Sequence, residues 1–158
     1  MPCIKLRTII DAPAKLCFDL SRSIDLHKIS TSDTNEEAIA GTTSGLISED
    51  EYVTWRAKHF GIYQTLTSKI TAYQPYISFT DEMINGPFKS IKHIHTFEFI
   101  DNKTIMVDEF YFESPYGIFG RLFNTLVLTF YLKKLLIRRN NIIKLYAESN
   151  LWHKIINQ

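Results

Sequence analysis

Pro115-Tyr116-Gly117-Ile118-Phe119-Gly120 opens a stretch that runs to the end of the sequence without another proline or glycine. Up to Ala147 it has room for one helix of about thirty residues, roughly 45 Å at 1.5 Å per residue. No other part of the sequence could hold a helix half as long. Between Glu51 and Glu113 apolar and polar residues alternate instead, the pattern of strands with one buried face. A domain needs two layers around one core, so the expected fold is α+β: a curved antiparallel sheet of about seven strands, with one long C-terminal helix packed across its concave face.

Working outward, Ile4 to Ile10 reads as a first strand, stopped by Asp11-Ala12-Pro13. Asp11 is positioned to cap a helix with Pro13 in its first turn and Leu16, Cys17 and Leu20 on its inner face. Ser23 is positioned to cap a second short helix from Ile24 to Ile29. Glu37 to Ala40 is a short strand ending at Gly41. Five more strands follow, at Tyr52–Phe60, Ile62–Tyr73, Tyr76–Asn85, Phe88–Ile100 and Thr104–Glu113. Gly61, Pro75, Asn85-Gly86-Pro87 and Asp101-Asn102-Lys103 separate them, and such short turns dictate antiparallel pairing. In the last helix Ile118, Leu122, Leu126, Thr129, Leu132, Leu136, Ile143 and Ala147 form a stripe at helical spacing. Phe119, Phe123, Val127, Phe130 and Tyr131 widen it, so the first half calls for cover on more than one side. Arg121, Lys133, Lys134, Arg138 and Arg139 read as a solvated face. Residues 1–149 are expected to form the domain, and 150–158 a tail whose Leu151, Trp152, Ile155 and Ile156 can dock back.

The composition is that of one soluble domain: 158 residues, 45% hydrophobic and 22% charged. A formal net charge of +1 argues against a nucleic-acid partner, for which a basic excess is expected. Cys3 and Cys17 show no metal spacing and fit a reducing compartment. The alternating start, Met1 to Arg7, excludes the apolar core of a signal peptide. The most apolar run, Leu122 to Ile137, is broken by Asn124, Lys133 and Lys134, short of the ~20 apolar residues of a membrane span. The expected location is the cytoplasm.

The order strand, two short helices, six strands, long helix resembles the helix-grip fold of the START-like superfamily, also called SRPBCC. Asp11-Ala12-Pro13 with Cys17-Phe18-Asp19-Leu20 is similar to the opening motif of that superfamily. Val53-Thr54-Trp55, His59-Phe60-Gly61, Phe79-Asp81-Met83 with Gly86 and Phe88, His93-Ile94-His95, and Met106-Asp108-Phe110 with Pro115 and Gly117 resemble one bacterial subgroup of it. The resemblance covers nearly the whole sequence, to about Ser149 on an element-by-element reading. It implies relatives among polyketide cyclases, lipid-transfer domains and pollen-allergen-like proteins, and a cavity between sheet and helix.

Strand parity places Trp55, His59, Phe79, Asp81, Met83, His93, His95, Met106, Asp108 and Phe110 on one face, which is taken as the concave one. Trp55, His59, Phe79, Met83, His93, Met106 and Phe110, with Leu122 from the helix, are the expected ligand-contacting residues; Phe97 and Phe112 are expected to add to the apolar lining. Buried carboxylates must be paired, so Asp81, His95 and Asp108 form a structural network, a ligand-orienting polar patch, or an acid–base cluster with His59 or His93 assisting. His93 and His95 share a strand face, and Asp81 or Asp108 could add a third metal ligand, but no fourth is evident; neither metal nor cofactor is expected. Ser114 and Cys17 lack a neighbouring base, and no nucleophile motif or phosphate loop is present. Gly117 and Gly120 fit close packing of helix on sheet, an opening of the pocket mouth, or a plain turn before a weak helix start.

The leading expectation is binding of a hydrophobic or amphipathic small molecule under the long helix. One alternative is a cyclase, dehydratase or hydrolase using the Asp/His cluster. The other is an interaction protein that uses the apolar half of the helix as a homodimer face or against a membrane surface.

Overall fold

The computed structural model describes residues 1–115, 117, 119, 122 and 127–156. Strand β1 (Cys3–Ile10) leads into helices α1 (Ala14–Ser21) and α2 (Ile24–Ser30), and a 3-10 turn (Ser32–Thr34) precedes β2 (Glu37–Gly41). Then come β3 (Tyr52–His59), β4 (Ile62–Gln74), β5 (Ser78–Asn85), β6 (Ser90–Ile100) and β7 (Lys103–Glu113). Helix α3 (Thr129–Ala147), a second 3-10 turn (Asn150–Trp152) and α4 (His153–Ile156) complete the described chain.

All seven strands pair antiparallel in one sheet, in the order β1-β7-β6-β5-β4-β3-β2. Phe60-Gly61 and Asp101-Asn102 are two-residue hairpin loops, and all four residues have positive φ. That is type I′ geometry, whose twist matches the flanking strands. Gly41, at φ 75°, is the position where a side chain has no room: a Cβ would collide with the Tyr52 carbonyl. Helix α3 crosses the concave face from β3 to β1. At one end the Tyr131 hydroxyl meets His59 Nδ1 at 2.8 Å; further along, Asn140 Nδ2 donates to Thr8 Oγ1 at 3.2 Å.

Two apolar clusters flank the space beneath α3. In the larger, Phe18 of α1 is fully buried against the edges or faces of Tyr73, Tyr76, Phe79 and Phe97, with centroid separations of 5.4–5.7 Å. Trp152, Ile155 and Ile156 of the C-terminal segment pack against this cluster, so residues 150–156 share the core of the rest. The smaller joins Ile4, Ile91 and Phe112 of the sheet to Leu128 and Leu136.

Several local expectations need correction. Asp11 does not cap α1: Pro13 holds the N-cap position, and the Asp11 N–H donates to Glu148 Oε1 at 2.8 Å. Ser23 does cap α2, accepting from the Leu26 N–H at 3.1 Å. Ile77 and Phe99, which by alternation share a face with Phe79 and Phe97, are half exposed, because one precedes β5 and the other lies near the end of β6, beyond the core. A register shift between Ile70 and Ala72 reverses the parity of β4 and turns Tyr73 inward. Gly117 has φ 52°, and a Cβ there would meet nothing within 4 Å, so its role is conformational and not close packing.

The long helix differs most from expectation. Thr129, Leu132, Leu136, Ile143 and Ala147 of the stripe are buried or partly buried, but Leu122 is 59% exposed. Phe119 and Phe130, at 84% and 75%, are also uncovered. Ile118, Gly120, Arg121, Phe123, Asn124 and Leu126 lie outside the described residues. Arg139, expected on the solvated face, is buried. Arg138 pairs with Asp33.

Truncating a buried aromatic leaves a cavity as well as losing transfer energy. Phe18→Ala should therefore cost about 3–5 kcal/mol, whereas Phe130→Ala should change stability by less than about 0.5 kcal/mol. Urea unfolding of the two variants checks this contrast.

Candidate functional site

A cavity of about 700 Å³ lies between the sheet, α1–α2 and α3. Its walls are largely apolar, from Val53, Trp55, Leu66, Phe79, Phe110 and Leu132 among others. Phe60 and Ile62, more than half exposed, stand at its rim. Polar side chains reach it in two groups.

The inner group forms where β5, β6 and β7 run side by side. Register sets Asp81 opposite His93, and His95 opposite Asp108, so four ionisable side chains share one face of three strands. Asp108 is fully buried and is the hub. His93 Nε2 lies 2.9 Å from its Oδ1, Asn140 Nδ2 donates to its Oδ2 at 2.6 Å, and Arg139 Nη1 donates to Oδ1 at 3.4 Å. Arg139 Nη2 also donates to the Ser21 carbonyl at 2.9 Å, tying α3 to α1. His95 Nε2 lies 3.0 Å from Asp81 Oδ2, and its ring stacks on Phe79 at 4.2 Å. The other nitrogen of His95, Nδ1, is 2.9 Å from Asp108 Oδ1 but out of line for a hydrogen bond, so it is buried without a partner among the described residues.

Burial raises the carboxyl pKa of Asp108, but the hydrogen bonds and charges of the two imidazoles overcome it and hold it well below the usual range. At Asp81 burial is likewise outweighed by the His95 hydrogen bond, the charges of His93 and His95, and Arg139, and the pKa is lowered. His93 moves the other way from an ordinary histidine with an acidic partner. Burial, and then the neighbouring His95, depress it to about 4 despite the Asp108 hydrogen bond. His93 is therefore a neutral ring at physiological pH, and its contact with Asp108 makes Nε2 the protonated nitrogen.

The outer group lies near the rim. His27 Nε2 is 3.4 Å from Glu36 Oε1, and the His27 ring packs on Trp55 at 4.3 Å. His59 pairs with Tyr131, whose ring also meets Phe60 at 4.8 Å. Burial raises the Glu36 carboxyl pKa, but the adjacent His27 outweighs it and the net shift is downward. Burial lowers His59, with Glu36 pulling back, and raises Tyr131.

Of the expected site residues, Trp55, His59, Phe79, Asp81, His93, His95 and Phe110 line the cavity. Asp108 stands behind the imidazoles with no exposed surface. Met106 is sealed between β7 and α1, where its sulfur meets the Ser21 hydroxyl at 3.4 Å. Met83 packs with the smaller apolar cluster, Leu122 faces outward, and none of these three lines the cavity. Phe97 and Phe112 are core residues. His59 belongs to the outer group, and only His93 stands with Asp81 and His95. Arg139, Asn140, His27, Glu36 and Tyr131 were missed. Arg139 carried a legible signal, since it lies three residues after Leu136 and four before Ile143, on the apolar stripe. The outer group depends on a loop meeting a helix and had no signal in spacing.

No protein-family model matches the sequence, and no curated protein does. Solved structures match by backbone. TTHA0849 of Thermus thermophilus gives a TM-score of 0.72 at 18% identity, over 94% of this chain and 100% of its own. The ginseng (Panax ginseng) major latex-like protein 151 gives 0.68 at 15% identity, over 94% and 98%. The Zhui aromatase/cyclase of Streptomyces sp. R1128 gives 0.69 at 12% identity, over 93% of each. The chain has the helix-grip fold of these structures. At these identities the likeness extends to the fold and not to an activity. In this helix-grip fold, α3 is the gripped helix.

The depressed His93 pKa links protonation to stability. The unfolded histidine titrates near 6.5 and the folded one near 4. Below pH 6.5 the unfolded chain takes up a proton that the folded chain refuses, so stability present above 6.5 is lost as pH falls toward 4. The loss is on the order of 3 kcal/mol. Below about pH 4 the lowered Asp81 and Asp108 extend the decline, because unfolded carboxylates protonate first. In chelator-treated protein, urea unfolding across this range should show the decline, and His93→Gln should flatten the interval between 6.5 and 4.

Proposed function

We propose that this protein binds a hydrophobic or amphipathic small molecule in the cavity under α3. The observation that carries the reading is the cavity itself: about 700 Å³, apolar along its walls, with polar groups at two places. Small-molecule sites are of this size and composition. The apolar rim of Phe60 and Ile62 supports entry of an apolar molecule from that side. The likeness to a major latex-like protein and to an aromatase/cyclase agrees with a small-molecule partner. The free cysteines, one buried and one exposed, agree with a reducing compartment. No helix among the described residues is long and apolar enough to cross a membrane.

A second reading is supported by one contact. His95 and Asp81 meet at 3.0 Å on the cavity wall, where a polar group of a bound molecule would come within reach of proton transfer. A cyclisation, dehydration or hydrolysis would use that pair.

Native mass spectrometry of protein purified from its own host should show a retained small molecule. Ser68, a small buried residue in the cavity wall, gives the control. Ser68→Trp should fill the space, abolish the added mass and weaken binding of a fluorescent amphiphile at least about tenfold, or 1.4 kcal/mol. Equal binding by the variant would remove the cavity from the account.

A further inference from the structure

The inner group contains an arrangement that hydrogen bonding among its members leaves unexplained. His93 Nε2 lies 2.9 Å from Asp108 Oδ1, and a ring that donates there as its one N–H leaves Nδ1 a bare acceptor. That nitrogen faces Asp81 Oδ2 at 3.9 Å, acceptor against acceptor and too far apart for a hydrogen bond. The same Asp81 oxygen lies 3.0 Å from His95 Nε2. When His95 donates there, its Nδ1 becomes a second bare acceptor, buried without a partner among the described residues and 2.9 Å from the anionic Asp108 Oδ1. Each imidazole thus turns one nitrogen toward Asp108 and the other toward Asp81.

We propose that Asp81, His93 and His95 form a binding site for a divalent transition-metal ion of the zinc type, held by Asp81 Oδ2, His93 Nδ1 and His95 Nε2. One donor atom from each of the three residues lies within 4.8 Å of the other two. Donors about 2.0–2.1 Å from a tetrahedral ion stand about 3.3 Å apart, and the measured 3.0 and 3.9 Å bracket that spacing. A cation resolves both misfits. It takes the lone pairs of His93 Nδ1 and Asp81 that now oppose one another. It also displaces the proton from His95 Nε2 to Nδ1, 2.9 Å from Asp108 Oδ1, where a turn of the ring brings the N–H into line with that carboxylate. Asp108 then acts on both rings as the outer carboxylate that fixes tautomer and orientation, a constant partner of metal-bound histidine. Arg139 is turned to Asp108 and the Ser21 carbonyl, so its charge is neutralised outside the donor set. Imidazole nitrogens with one carboxylate suit zinc, cobalt, nickel or ferrous iron better than calcium or magnesium. Three protein donors leave at least one coordination position, and all three residues line the cavity, so that position opens toward whatever the cavity holds.

This proposal rests on the side-chain geometry and not on the apolar-ligand reading, and its test uses the metal alone. Chelator-treated full-length protein titrated with Co²⁺ should bind one ion per chain, develop the visible absorption of a low-coordinate cobalt–nitrogen site, and release the ion to Zn²⁺. Asp81→Asn, nearly isosteric and partly exposed, should keep the fold and weaken Co²⁺ and Zn²⁺ at least tenfold. Asp108→Asn should weaken them about 10–100-fold through ring orientation. His27→Gln, in the outer group, should leave affinity unchanged. Absence of stoichiometric binding in the folded parent protein would overturn the proposal and leave an acid–base pair only. So would undiminished affinity in folded Asp81→Asn, or loss of binding in His27→Gln.

Discussion

The buried carboxylate of Asp108 is the interaction on which the arrangement depends. An ionised carboxylate without partners costs several kcal/mol in an interior, yet this side chain has no exposed surface. Its partners come from β6 through His93 and from α3 through Arg139 and Asn140. Apolar contact would hold the helix against the sheet at many rotations and registers. The carboxylate accepts only the one that brings a guanidinium and an amide to it, so it fixes how the helix lies across the strands. Arg139 then reaches the Ser21 carbonyl at the end of α1, and three layers of the fold meet at one residue.

That constraint shapes the cavity. The helix is held at its middle by Asp108 and near the rim by the Tyr131–His59 contact, while apolar clusters pack to either side. The space between is lined by residues that cannot fill it. Its polar groups differ in kind. The inner one is largely buried, with lowered carboxyl pKa values and a neutral His93. The outer one joins the Ser32–Thr34 region, β3 and α3 through Glu36, His27, His59 and Tyr131. A molecule with a polar feature at each end and an apolar body would match both.

The sheet was legible because strand parity has a period of two, and one wrong step would have turned every side chain to the other face. Val53, Trp55, Ala57, His93, His95, Met106 and Asp108 follow that rule. It fails where strands outrun the core, at Ile77 and Phe99, and where the β4 register shift inserts a residue before Tyr73. Parity also identifies which residues face inward without telling how deep they sit. Met106 and Met83 face the interior but pack into side-chain clusters instead of the cavity wall. Helix periodicity did less well. Arg139 sits on the apolar stripe with Asn140 beside it, and the charge of Arg139 suggested solvent; only the position of Asp108 across the interface makes their burial favourable. Glu36 and His27 come together by tertiary contact between a loop and α2, which no local pattern encodes.

The protonation state of His93 tests this account most directly. Long-range ¹H–¹⁵N correlation spectra of the imidazole nitrogens at neutral pH, in chelator-treated protein, report which nitrogen carries the proton. The account requires a neutral His93 ring with the proton on Nε2, facing Asp108, and a bare Nδ1. A doubly protonated His93, or a proton on Nδ1, would contradict it.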